Sequence, residues 1–237
     1  MAKPFKEWKV LPHSKLWEVD ENILTVVGRL HLPFAELPRR MTVVRLHDGG
    51  LVIFSAIALD EDEMVALEEY GTPAFLVVPS SRHRMDAHIW MKRYPNMRVA
   101  TPAGAQDKVE ETVGVDTTAP DFGDPNVVFE TVGGSHDSEA ALRVHSTHGT
   151  TLVLGDMVGN IHDESGFGGW VLRVTGFAGD APQVPRVVKV SADAAALRSQ
   201  LLEWAAIESL HCILVAHGDP ISDDPHGVLR KLADSLT

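Results

Sequence analysis

Four side chains of this sequence are of the types that bind a zinc-like ion, and each lies near one end of a predicted strand. They are His83, His136, Asp156 and His217. Imidazole nitrogens and carboxylate oxygens are the usual ligands of zinc and related divalent metals. Ligands at the ends of buried strands are held rigidly, so the pattern predicts a metal site where these strand ends meet.

The stretch that ends at Asp156 predicts a hairpin that brings His136 and Asp156 to the same end. A strand over 139–144 leads into a turn over 146–149, and the β-branched run Thr150–Leu154 returns antiparallel to it. A simpler interpretation stays open for this stretch, in which His136 is a polar loop residue and Asp156 caps the next segment.

Two further apolar runs end in residues of the same chemical types. The first, over 74–78, leads into a polar cluster that contains His83, Asp86 and His88. The second ends directly in His217, which is followed by Gly-Asp-Pro. A histidine at such a position can also end a strand through a backbone hydrogen bond, so the predicted ligand role of His217 competes with a structural one.

The order of β-rich runs and amphipathic helices predicts the layers that position these side chains. Two runs of strands are each followed by helices, which predicts two packed sheets with helices on their outer faces. We predict one domain over 1–237, an irregular N-terminal segment over 1–22, an irregular glycine-rich segment over 157–170, and β structure over 170–176 and 186–190.

The composition disfavours several classes of partner. The 237 residues are 44% hydrophobic and 23% charged, which is typical of a soluble globular protein. The net charge of −12 disfavours general binding to nucleic acids and to anionic membranes. The single cysteine, Cys212, rules out an internal disulfide. Since there is also no apolar signal-peptide core and no apolar run of membrane length, we predict a cytoplasmic protein.

Three motifs resemble the metallo-β-lactamase fold superfamily in their order and spacing. In that superfamily a Gly-His motif precedes a hairpin that ends in Gly-Asp, and a later strand ends in a Gly-His-Gly-like turn. The matching segments are Gly134–His136, Leu152–Asp156 and Ile213–Gly218, within a resemblance that covers residues 20–220. The run Arg40–Leu46 further resembles the opening of a divergent bacterial branch of the superfamily.

The first metal motif of the superfamily, His-x-His-x-Asp-His, is altered in this chain. His83 matches the second histidine, and Ser81 stands in place of the first. Asp86 and His88 are displaced from the positions of the motif's aspartate and last histidine. On a helix these two residues would point about 200° apart, so they could face one site together only from a loop.

The resemblance implies a four-layer αββα sandwich of metallo-β-lactamase type and a metal-dependent hydrolase. The implied metal ligands are His83, His136, Asp156 and His217, and the implied ion is zinc or another divalent metal such as iron or manganese. Such an ion lowers the pKa of a water toward neutrality, so that the water can attack a small ester, lactone, thioester or phosphodiester. Asp156 would orient the nucleophile, and Asp86 or His88 would pass a proton to the leaving group.

A second interpretation follows from the missing first histidine. The chain would keep the fold, bind no metal, and act as a binding or scaffold protein without catalytic activity. A redox protein with two iron ions on the same fold is disfavoured, because that use needs a nearly complete ligand set. The sequence thus leaves open whether the chain is an enzyme. It predicts a small-molecule substrate and no nucleic-acid or membrane partner, and it leaves self-association undecided.

Overall fold

Two β-sheets face each other in the computed structural model of the chain, which describes residues 3–31, 36–162 and 166–236. The strands are β1 Trp17–Asp20, β2 Ile23–His31, β3 Glu36–Arg45, β4 Gly50–Phe54, β5 Thr72–Val77, β6 Arg98–Ala100, β7 Val127–Thr131, β8 Ala140–Ser146, β9 Gly149–Asn160 and β10 Leu210–Gly218. The first sheet has the order β1-β2-β3-β4-β5-β6, and the second has the order β10-β9-β8-β7.

The helices follow β4, β5 and β6 of the first sheet and β9 and β10 of the second. They are α1 Glu61–Tyr70, α2 Ala87–Arg93, α3 Gln106–Glu110, α4 Gly166–Thr175, α5 Arg186–Ser191, α6 Ala194–Ala205 and α7 Pro225–Asp234. Strands β4, β5 and β6 are parallel, and α1 and α2 make the two crossovers between them. In the part of the chain that the structure describes, every helix is too short or too polar to span a bilayer.

Three apolar layers show how the sheets and helices are stacked. The layer between the sheets combines side chains of both, among them Val44, Val52, Phe54, Leu142, Val153 and Leu214. One outer layer packs α1, α2 and α3 on the first sheet, and the other packs α5, α6 and α7 on the second. Each fully buried side chain of this kind contributes about 1.5–3 kcal/mol. The predicted αββα order is therefore confirmed.

Local signals in the sequence explain why several elements begin and end where they do. Asp60 caps α1 by accepting a hydrogen bond from the backbone N–H of Glu63 at 3.1 Å, and the first turn is acidic, as the helix dipole favours. In the hairpin of β8 and β9, Ser146 pairs with Gly149. Strand β9 is buried on both faces, because one face packs on the other sheet and the opposite face packs on the helices. The predicted hairpin is confirmed, although β9 continues past Asp156 to Asn160.

Four predictions about local structure were wrong. The N-terminal segment 1–22 contains β1, and β9 continues through the first part of 157–170, which also contains the start of α4. The runs 170–176 and 186–190 lie largely in α4 and α5 rather than in strands. Valine-rich runs favour strands locally, but here the buried side chain of Val188 packs against the second sheet's helical layer, so tertiary packing decides.

A buried arginine in the middle of β3 joins the first sheet to the end of β10. The Arg40 side chain donates from Nε to the carbonyl of Val215 at 3.0 Å and from Nη2 to the carbonyl of Gly218 at 2.7 Å. Burial lowers its pKa to about 10, so the side chain stays charged at neutral pH. These bonds fix the end of β10, which carries His217, against the first sheet.

Candidate metal centre

His83, Asp156 and His217 come together from three different segments of the chain. Their ligand atoms all lie within 4.8 Å of one another. Asp156 Oδ1 lies 2.9 Å from Nε2 of His83 and 2.9 Å from Nε2 of His217. The three side chains are at least nine-tenths buried. The structure thus brings together three of the four side chains that the sequence predicts as metal ligands.

A bulge in β9 directs Asp156 toward the two histidines. Leu154 pairs with Val215 and Gly159 pairs with His217, so residues 155–158 of β9 face a single residue of β10. Bulges bend a strand and change the direction of a side chain, and they are frequent beside functional sites. The hairpin carries Asp156 to the correct end of the sheet, and the bulge then orients its carboxylate.

The backbone fixes the ring of His217. Its Nδ1 donates to the carbonyl of Pro38 at 2.6 Å, which leaves Nε2 facing Asp156. The following residue, Gly218, has a φ of 113°, and a Cβ there would lie 2.0 Å from the carbonyl oxygen of Asn160. Only glycine fits this close turn. The backbone thus holds His217 at the point where β10 leaves the sheet.

The hydrogen bonds of His217 require a positive charge where its ring meets Asp156. Because Nδ1 carries the proton given to Pro38, a neutral ring would place the lone pair of Nε2 against a carboxylate oxygen at 2.9 Å. Either a second proton on the ring or a metal ion removes this repulsion. Two imidazoles and one carboxylate also match known three-ligand zinc and iron sites that keep an open position. The residues therefore fit a divalent metal.

The pKa values of the pair follow from the same contacts. Burial alone would raise the pKa of Asp156, but the charge of His83 and hydrogen bonds from both imidazoles hold it well below the usual value of 3.8. Burial would lower the pKa of His217, but its hydrogen bond and charge interaction with Asp156 raise it above 6.5. Both shifts favour a protonated His217 beside an ionised Asp156 in the metal-free protein, and a metal ion bound at His217 would displace that proton.

Ser55 orients the second imidazole. Its Oγ lies 2.7 Å from Nδ1 of His83, so Nε2 of the ring points to Asp156. Ser55 follows β4 with a φ of 59°, a conformation that costs a serine about 1–3 kcal/mol. Its backbone N–H donates to the carbonyl of Val77 at 3.0 Å, so the strand pairing maintains this strain. Nothing in the sequence near Ser55 indicates this role.

Ser55→Ala and Ser55→Gly are expected to weaken metal binding alike, by about 10- to 100-fold, because both remove the hydroxyl that orients His83. The two variants should differ in stability. Without metal, the free energy of unfolding of Ser55→Gly is expected to exceed that of Ser55→Ala by about 1 kcal/mol or more, since glycine relieves the strain of the positive φ. Chelator competition and urea unfolding measure the two effects. Unchanged metal affinity in Ser55→Ala would contradict the orienting role.

Arg82 and Glu139 complete the polar surroundings of Asp156. Arg82 donates from Nε to Asp156 Oδ2 at 2.5 Å and from Nη2 to Glu139 Oε1 at 2.9 Å. The backbone N–H of Asp156 donates to Glu139 Oε2 at 3.4 Å, and a Cβ on Gly155 would lie 2.8 Å from that oxygen. Burial and the charge of Asp156 raise the pKa of Glu139. Sequence reasoning missed Glu139, although an acidic residue opposite Asp156 in an apolar hairpin was a usable signal.

The cluster opens into a cavity of about 250 Å³. Arg82 and the three clustered side chains form one part of its wall, together with Arg39 and Asp86. The apolar part consists of Leu30, Leu37, Ala56, Met85 and Phe177. A largely apolar pocket with a few converging polar groups is the usual form of a small-molecule site.

The other predicted site residues lie away from the cluster. The Asp86 carboxylate lines the cavity, but it is paired with Nη1 of Arg39 and accepts a hydrogen bond from the N–H of Ala58 at 3.0 Å. His88 is exposed on α2, on the side opposite the buried Asp86. His136 is exposed in the loop before β8, so the structure does not bring it to the metal cluster. The hairpin places His136 at the correct end but does not direct its side chain inward.

Comparison with solved structures identifies the fold. The chain is similar to TMB-1, with a TM-score of 0.65 and 12% identity over 95% of this chain and 99% of that one. A metallo-β-lactamase from Erythrobacter litoralis aligns with a TM-score of 0.64 and 15% identity, over 93% and 96% of the two chains. FIM-1 from Pseudomonas aeruginosa, in its mono-zinc form, gives 0.63 and 11%, over 96% and 97%. No family model and no curated protein matches the chain.

Proposed function

We propose that this chain, which has the metallo-β-lactamase fold, is a metal-dependent hydrolase of a small ester, lactone, thioester or phosphodiester. The observation that carries the proposal is the convergence of His83, Asp156 and His217, within 4.8 Å of one another, at the wall of a cavity. A zinc-class ion held there lowers the pKa of a water and polarises a carbonyl or phosphoryl oxygen.

The residues of the chain prepare the site for this chemistry. Ser55 and the carbonyl of Pro38 hold the two rings by Nδ1, which leaves both Nε2 atoms for a ligand role. Asp156 supplies the negative charge that offsets the charge of the ion. Arg82 lines the same cavity with a permanent positive charge, which favours a substrate oxygen that becomes negative during hydrolysis.

The cavity limits the class of substrate. A volume of about 250 Å³ lies below the range of about 300–1,000 Å³ that is usual for drug-sized ligands, so we expect a small molecule. Leu30, Leu37, Met85 and Phe177 form an apolar wall against which an acyl or alkyl group can pack. Short-chain esters and thioesters are therefore the first compounds to assay, followed by small phosphodiesters.

The proposal is tested by metal content and hydrolysis, on protein purified without chelator or histidine tag. Elemental analysis of the wild type is expected to find one equivalent of zinc, iron or manganese. His217→Ala is expected to lose the metal and the hydrolytic activity, because two ligands remain. His136→Ala is the matched control, since this exposed histidine lies outside the cluster, and it should keep both.

Two results would contradict the proposal. A wild type that stays metal-free after zinc is added would favour a binding protein that keeps the fold without a metal site. Loss of metal in His136→Ala would show that the ligand set is different from the one proposed.

A further inference from the structure

The two oxygens of the Asp156 carboxylate contact different kinds of side chain. Oδ1 lies 2.9 Å from the Nε2 atoms of His83 and His217, and Oδ2 lies 2.5 Å from Nε of Arg82. Arg82 extends further and bonds to Glu139 Oε1 at 2.9 Å. A guanidinium thus bridges two buried carboxylates directly beside the place where the imidazoles converge.

This bridging position is the one that a second metal ion would need. In two-metal sites the ions lie about 3.5–4 Å apart, and a carboxylate between them gives one oxygen to each. Here Arg82 already occupies the second oxygen of Asp156. Within 3–31, 36–162 and 166–236, only one group of three or more ligand-type side chains comes close enough to share an ion. A second ion would have neither a free carboxylate oxygen nor a ligand set of its own.

We propose that Arg82 takes the place of a second metal ion, so that the chain binds one metal equivalent beside a fixed guanidinium charge. This inference rests on the proposed metal-dependent function and specifies its site. Arginine suits the role because its planar fork binds two carboxylates at once and because it keeps its proton in proteins. The second positive charge of the site is therefore independent of metal supply.

The arrangement also leaves part of the guanidinium for the substrate. Nε and Nη2 of Arg82 bind the two carboxylates, and Nη1 makes no hydrogen bond with any described residue. The side chain lines the cavity and is 45% exposed, so a substrate oxygen can reach it. Arg82 would thus attract a negatively charged oxygen, as a second ion does in two-metal hydrolases.

Metal stoichiometry tests the proposal directly. Metal-free protein is titrated with zinc and, for a visible spectrum, with cobalt, and bound metal is counted after gel filtration. The wild type is expected to bind one equivalent. Arg82→Ala is expected to bind a second, weaker equivalent, because Asp156 Oδ2 and Glu139 lose their counter-charge. Arg82→Lys keeps a cation beside these carboxylates and should stay at one.

Arg84 provides the matched control. This nearby arginine pairs with Glu111 at 2.8 Å and does not line the cavity, so Arg84→Ala should bind one equivalent. Thermal unfolding of each metal-free variant confirms that it is folded before its stoichiometry is read.

The outcomes separate this proposal from the proposed function. A wild type that binds two equivalents with Arg82 intact overturns this proposal and leaves the hydrolase proposal standing. One equivalent in both the wild type and a folded Arg82→Ala also overturns it, because removal of the guanidinium then opens no cation site. A wild type that binds no metal overturns both proposals.

Discussion

Asp156→Asn is expected to abolish metal binding and to lower the free energy of unfolding of the metal-free protein by about 3 kcal/mol. Asparagine keeps the size of the side chain but removes the charge that Arg82 and the protonated His217 both contact. Breaking a buried ion pair costs about 3–5 kcal/mol. We expect the lower end of that range, because Arg82 is 45% exposed and His217 can release its proton.

The size of this effect depends on pH, with a sign fixed by the two pKa shifts. The pKa of His217 is raised in the folded protein. Its contribution to the free energy of unfolding is therefore complete below the unfolded pKa of 6.5 and is lost as the pH rises through the folded pKa. The pKa of Asp156 is lowered in the folded protein. Its contribution to the free energy of unfolding is therefore present above the unfolded pKa of 3.8 and is lost as the pH falls through the folded pKa. The pair of Asp156 and His217 therefore stabilises the metal-free protein most between pH 3.8 and pH 6.5.

Urea unfolding of metal-free wild type and Asp156→Asn over a pH series measures this dependence. The difference in unfolding free energy should be largest at mildly acidic pH and should shrink toward alkaline pH, where the pair with Arg82 alone persists. Asp137→Asn, at an exposed loop position, is the control and should change little. A difference that stays constant from acid to alkaline pH would contradict the assignment of the proton to His217.

Asp86→Asn is expected to lower the free energy of unfolding by about 3–5 kcal/mol, because it leaves the Arg39 charge buried and unpaired. The Asp86 side chain is 1% exposed and that of Arg39 is 9% exposed. Arg39 donates from Nη1 to Asp86, and its Nε and Nη2 are buried and without a hydrogen-bond partner among the described residues. The guanidinium would thus lose the one charged partner that it has among the described residues.

A double-mutant cycle tests this pair. Replacing both residues by apolar ones, as in Arg39→Met with Asp86→Leu, is expected to cost far less than Asp86→Leu alone, because no uncompensated charge is left inside. Denaturant unfolding of the single and double variants gives the coupling energy. Additive single effects would show that the two side chains do not depend on each other. A strong coupling would give Asp86 a structural role in place of the proton transfer that the sequence predicts.

The sequence by itself determined the order of the layers and the position of several strands. Apolar runs with turn residues between them predicted β5, the hairpin of β8 and β9, and β10. These signals are local, since a strand, a turn or a cap depends on residues within a few positions. For the same reason the sequence placed His217 at the end of a strand, as the structure does. It also placed Asp156 just after a strand, whereas in the structure β9 continues past this residue to Asn160.

Only the tertiary structure decided which side chains face one another. His136 and Asp156 lie at the same end of one hairpin, yet the first is exposed in the loop before β8 and the second is buried in β9, where a bulge lies opposite β10. Contacts such as Ser55 with His83 and Pro38 with His217 join residues far apart in the chain. The direction of a side chain depends on strand register and on packing between sheets, and no periodicity along the chain carries that information.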